Sequence, residues 1–170
     1  QGEIAAKYAA ETLKVKKVAV LYGTGDPYSS GVGKAFVAAA KKNGLDVVAE
    51  ENSSSADDTE YSSQLQKIEA SGAEFLYAPY YYSTVGPYIV PQARAVGYEG
   101  YIMGPDGYDG LKTTGNKANY NKVLYTTHYS PDDKSNTKVQ QFITSYKKAN
   151  NGESPNTFTA LGYDSVYMFK

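Results

Sequence analysis

Lys17-Val18-Ala19-Val20-Leu21-Tyr22, followed at once by Gly23-Thr24-Gly25-Asp26-Pro27-Tyr28, is the stretch that decides how this chain is read. The first six residues have the apolar, β-branched character of a buried strand, and the next six carry turn chemistry. Ser29 or Ser30 can then cap a helix whose apolar residues Val32, Phe36, Ala39 and Ala40 recur at helical spacing, until Asn43-Gly44 stops it. Strand, turn and amphipathic helix together make the repeating unit of an α/β fold.

The unit recurs along the chain. Residues 45–49 read as a second strand, and Asp57-Asp58-Thr59 opens a helix with Tyr61, Leu65 and Ile68 on one face and Gly72 just beyond its end. Residues 74–78 form strand three, followed by the tyrosine triplet 80–82. A helix over about 83–96 comes next, in which Pro87 and Pro91 predict a kink or a late start. Residues 101–104 and 123–127 are strands four and five. Between them, 105–121 is a Gly/Asn/Lys-rich connection with at most a short helix. Val139, Phe142, Ile143 and Tyr146 mark a further helix. Phe158, Leu161, Val166 and Phe169 mark a last one running to the chain end, and Ile4, Ala5, Tyr8, Ala9 and Leu13 an opening one. There is no internal repeat.

Five strands separated by helices predict an α/β domain with a doubly wound parallel sheet in the order 2-1-3-4-5. Such sheets bind ligands outside the carboxyl ends of their strands, where the winding reverses between strands one and three. The turns at that edge carry Asp26, Tyr28, Ser29 and Ser30, then Tyr80, Tyr81 and Tyr82, then Asp106 and Tyr108, and finally His128 and Tyr129.

Composition narrows the chemistry. The 170 residues hold 17 basic and 18 acidic side chains, a net charge of -1, which leaves no electrostatic footprint for nucleic acid. With no cysteine and one histidine, thiolate metal sites, disulfides, a cysteine nucleophile and a multi-histidine metal centre are excluded. No apolar run approaches the ~18 residues of a membrane span, and no basic-then-apolar signal peptide stands at Gln1. The unusual count is tyrosine: 18, against five phenylalanines and no tryptophan. Most are expected to pack in the core. Six of them, at positions 28, 80, 81, 82, 108 and 129, fall at the strand ends.

An aromatic lip with a carboxylate, Asp106, and no lysine or arginine in those turns suits a cation such as an ammonium group. Gly104-Pro105-Asp106-Gly107 is also ordinary turn chemistry. Three other readings stand beside this one. Gly23-Thr24-Gly25 begins a dinucleotide fingerprint, but Tyr28 occupies the place of its third glycine. The same loop with Ser29 and Ser30 could wrap the phosphate of FMN, as in flavodoxin-like proteins. Ser29, His128 and Asp106 could form a hydrolytic triad, although no Gly-x-Ser-x-Gly elbow is present.

Gln1-Gly2 with Ala5-Ala6-Lys7-Tyr8, Lys17-Val18-Ala19-Val20-Leu21, Tyr28-Ser29-Ser30-Gly31 and Gln92-Ala93-Arg94-Ala95-Val96-Gly97 occur in that order. Met103-Gly104-Pro105-Asp106-Gly107, Thr127-His128-Tyr129 and Ala160-Leu161-Gly162-Tyr163-Asp164 continue the series. In this order and spacing the chain resembles the type I periplasmic solute-binding proteins, in the branched-chain amino-acid-binding group of ABC importers. The resemblance implies a non-enzymatic protein without a cofactor. Its two lobes would close around an amino acid and deliver it to a membrane permease.

This chain resembles the second lobe, over residues 1–157, with 158–170 beginning a helix that packs on the first. It further implies a periplasmic or extracellular location, a lipid anchor at the cell surface being one form of it. Carried over by motif, the ligand residues are Tyr28, Tyr81 and Asp106, the last receiving the ligand ammonium. The chain has one residue more than the family's spacing before Gln92, so Tyr80 and Tyr82 are alternatives to Tyr81, and Ser29 and His128 are further candidates. Without its first lobe the chain is expected to bind ligand weakly and to dimerise through residues 158–170. A sensory receptor domain on the same fold is the alternative function.

Overall fold

Alternate side chains of β1 (Lys17–Gly23) leave the sheet on opposite faces, and both faces are covered. Val18, Val20 and Tyr22 join one buried cluster, while Ala19 and Leu21 join another. A strand apolar on both faces belongs in the interior of a parallel sheet with helices on each side. The computed structural model, which describes residues 1–168, has that architecture. β2 (Asp46–Ser53), β3 (Phe75–Tyr77), β4 (Tyr101–Gly104) and β5 (Val123–Tyr125) complete a five-stranded parallel sheet in the predicted order 2-1-3-4-5. The chain divides into two units, Gln1–Thr126 with the sheet and a second beginning at Thr127.

In the first unit, α1 (Gly2–Glu11) and α2 (Pro27–Lys42) cover one face of the sheet. Phe36 is their central side chain, stacked on Tyr77 at 4.5 Å and on Phe75 at 5.8 Å between ring centroids. The opening helix is present, but its buried side is Gly2, Ala5, Ala6 and Ala9. Ile4, expected to be apolar-facing, is 63% exposed, and Tyr8 is exposed as well. The reason is close approach: a Cβ on Gly2 would lie 2.6 Å from the Val32 carbonyl oxygen and 2.8 Å from the Phe36 nitrogen. Helices this near can bury only small side chains, so the larger ones turn outward.

α3 (Ser62–Ala70) and α5 (Val90–Ala95) cover the other face, with Tyr61, Leu65 and Ile68 buried as their spacing predicts. α3 starts later than Asp57-Asp58-Thr59, because Asp58 is engaged elsewhere. Its Oδ2 accepts from the Ser54 hydroxyl and the Ser55 N–H, both at 3.1 Å. The Tyr61 N–H at the head of α3 donates instead to Gln92 Oε1 at 2.7 Å.

Between α4 (Tyr82–Thr84) and α5 lies a π-helical turn, Val85–Ile89, closed by the Val90 N–H on the Val85 carbonyl. A proline ring clashes with the carbonyl four residues back in an α-helix, and a π turn opens the ladder there. With Pro87 and Pro91 in this stretch, the predicted kink takes the form of a π turn. Residues 105–121 contain three short 3-10 turns, Asp106–Tyr108, Leu111–Thr113 and Lys117–Tyr120.

The second unit contains α6 (Thr137–Ala149), capped by Asn136, and α7 (Thr157–Met168). Phe142 of α6 meets Tyr163 of α7 at 4.7 Å and Tyr129 edge-on at 6.1 Å. On α7, Phe158 is 47% and Val166 60% exposed. Phe169 lies outside the described residues.

Candidate ligand-binding site

Tyr28, Tyr81 and Asp106 meet at the carboxyl ends of β1, β3 and β4. The meeting begins with a helix cap. Asp26, not Ser29 or Ser30, is the N-cap of α2: its carboxylate accepts from the Tyr28 N–H at 2.7 Å and the Ser29 N–H at 3.4 Å, with Pro27 opening the first turn. That cap leaves Ser29 pointing inward. Fully buried, its hydroxyl oxygen accepts from the Gly23 N–H at 2.8 Å, which ties the strand end to the helix start. A hydroxyl so placed is no exposed nucleophile, which removes Ser29 from the triad, and it is not open to a phosphate.

With the helix start fixed, the Tyr28 hydroxyl donates to Asp106 Oδ1 at 2.7 Å and accepts from the Gly107 N–H at 3.1 Å. Gly107 has to be glycine here. A Cβ would stand 2.7 Å from the Tyr80 carbonyl oxygen and 3.0 Å from the Tyr28 hydroxyl. The Tyr28 ring stacks on Tyr81, centroids 5.2 Å apart and planes within 22°. Tyr81 is 37% exposed and Asp106 9%, so the ring is open to solvent while the carboxylate is nearly covered. Burial, then the carboxylate of Asp106, pushes the Tyr28 phenol far above its ordinary value. Burial, then the nearby Asp26, does the same to Tyr81 more mildly. Both hydroxyls therefore stay protonated donors at neutral pH.

The rest of the tyrosine triplet is placed differently. Tyr80 is fully buried; its hydroxyl pairs with the Ser53 hydroxyl at 2.8 Å and its ring meets Tyr61 edge-on. Tyr82 is as exposed as Tyr81, and its ring lies over Gly110. Tyr108 is buried and donates to the Ala78 carbonyl at 2.8 Å. His128 and Tyr129 belong to the second unit, where they line a cleft with Phe142, Tyr163 and Asp164.

Gln1 was not anticipated as a site residue. Its amide reaches Asp106 and Thr126, 105 and 125 positions away. The only signal in the sequence is indirect: the glycine after it permits α1 to close on α2, which brings Gln1 to the lip. Among the described residues no cluster of His, Asp or Glu could hold a metal ion, and no helix is long and apolar enough to cross a membrane.

A family model described as periplasmic binding protein matches residues 1–170, the whole chain. The chain belongs to the periplasmic binding protein family. Its relatives place it among the type I members of the branched-chain amino-acid group. An amino acid binding protein of Pseudomonas aeruginosa is 30% identical over 98% of this chain and 43% of its own length. The Leu/Ile/Val/Thr-binding protein of Salmonella typhimurium is 30% identical over 63% of this chain and 28% of its own. Among solved structures, the branched-chain amino acid transporter substrate-binding protein LivJ of Streptococcus pneumoniae, in complex with isoleucine, superposes with a TM-score of 0.87. It is 31% identical, over 98% of this chain and 47% of that one. The chain thus spans less than half the length of these periplasmic binding proteins.

Proposed function

We propose that this chain is the second lobe of an ABC-importer solute-binding protein that binds an amino acid of branched-chain type and delivers it to the membrane permease. The observation that carries the reading is the nearly buried Asp106 carboxylate, held by the hydroxyl of Tyr28, whose ring stacks on Tyr81. A carboxylate without lysine or arginine in the surrounding turns recognises an ammonium group, and ring faces accept its alkyl neighbourhood. The identity of the relatives supports the same ligand class. In this reading the lobe is non-catalytic, works in the periplasm or outside the cell, and covers residues 1–157; Ser29 and Tyr80 support the lip, and Tyr82 and His128 are further candidates for ligand contact.

The test is a thermal-shift and calorimetry panel of L-amino acids on the full-length protein. Leucine, isoleucine or valine should raise the melting temperature, since a ligand bound only by the native state stabilises it. A Tyr28→Phe variant should keep the ring stack and lose about 1–3 kcal/mol of binding with its hydroxyl. Absence of any response to all twenty amino acids would overturn the reading.

The exposed apolar residues of α7 fit a helix that packs on the first lobe. Expressed alone, residues 1–170 should therefore dimerise as concentration rises, burying Phe158, Leu161 and Val166. Light scattering that finds a monomer at high concentration would count against this.

A further inference from the structure

We propose that Gln1 is the positioning residue of the ammonium site, its side-chain amide holding the Asp106 carboxylate in the orientation that receives the ligand. The inference rests on the amino-acid-binding reading above.

Asp106 sits in a one-turn 3-10 segment, and its side chain can rotate about two bonds. The Tyr28 hydroxyl alone fixes one point, Oδ1. Gln1 adds a second bond to that oxygen and one to the backbone. Its Nε2 donates to the same Oδ1 at 2.8 Å, and its Oε1 accepts from the Asp106 N–H at 2.7 Å. The amide thus spans the backbone and the carboxylate of one residue, closing a ring that fixes the side chain relative to its own main chain. Thr126 holds the amide from a further side. Its hydroxyl donates to Gln1 Oε1 at 2.9 Å, and its own N–H is anchored on the Gly104 carbonyl at 3.0 Å. These partners permit one amide orientation. Turned over, the oxygen would face a carboxylate oxygen and the NH2 would face an N–H donor.

The residue type also suits the task. A lysine or arginine at this place would hold Asp106 as firmly, but it would neutralise the charge that the ligand ammonium needs. A glutamine positions through neutral dipoles and leaves the charge in place. Asparagine would be too short to span both groups from the same backbone position.

A double-mutant cycle on the full-length protein tests this, with leucine affinity read by calorimetry. Gln1→Met keeps side-chain length and removes the side chain's hydrogen bonds to Asp106 and Thr126; it should weaken leucine binding about 5- to 30-fold in the wild-type background. In an Asp106→Asn background the same change should cost less than about twofold, because its effect passes through the carboxylate. Thr126→Val, which leaves Gln1 intact and removes only the hydroxyl steering it, should produce a smaller loss with the same dependence on Asp106. It supplies the cycle on its own if Gln1→Met does not fold. An equal loss in both backgrounds would make Gln1 a purely structural residue and overturn the proposal, as would no loss at all. Failure of the wild-type protein to bind any amino acid would instead overturn the ligand assignment, and with it the role given to Gln1.

Discussion

An Asp106→Asn variant of the full-length protein should bind its amino acid about 10- to 150-fold more weakly than wild type, the value of a hydrogen bond to a charged partner. Asparagine has the same shape, and its amide oxygen can still accept from Tyr28 and from Gln1, as Oδ1 does now. What disappears is the negative charge. At 9% exposure that charge is poorly screened by water, so its attraction for an ammonium group is stronger than at an open surface. Calorimetry measures the loss, and the melting temperature of the unliganded variant should shift little. Unchanged affinity would remove Asp106 from the ammonium role.

The largest expected effect on stability is at Phe36. Phe36→Ala should lower the free energy of unfolding by about 3–5 kcal/mol in urea titrations. The ring is fully buried and stacks on both Tyr77 and Phe75, and the Phe36 backbone is the surface against which Gly2 of α1 closes. Two of those neighbours stand on a β-strand fixed by pairing on both sides, so the space cannot close easily. A loss under about 1.5 kcal/mol would mean that α1 collapses into the gap. The same substitution should also loosen the site, because α1 carries Gln1 at its head and α2 carries Tyr28 in its first turn.

The site was legible in the sequence wherever a residue belonged to a turn at a strand end. The strand count and the reversal of winding put Tyr28 and Asp106 at that edge among several other residues, and the family resemblance singles them out. The tyrosine triplet was less readable. Three identical residues leave a turn at the same edge, and only the path of the backbone decides which enters the core. Tyr80 is buried against Ser53 and Tyr61, which leaves Tyr81 to stack on Tyr28. The helix cap was misplaced for a similar reason: Asp26 and the serines at 29 and 30 all have capping chemistry, and Pro27 between them favours the earlier start.

By itself the sequence determined the parallel five-stranded sheet, its order and the turns that carry Tyr28, the tyrosine triplet and Asp106 to one edge. Those follow from local rules: a strand buried on both faces, a helix at 3.6-residue spacing and right-handed crossovers. Tertiary structure alone decided which faces and which long-range partners were used. Ile4 and Tyr8 turn outward because the helix backbones approach too closely to admit them. Gln1 reaches Asp106 across 105 positions of chain, a hydrogen bond that no periodicity or motif announces. Local pattern encodes how each segment buries its apolar side; the meeting of polar groups from distant segments depends on how those segments pack.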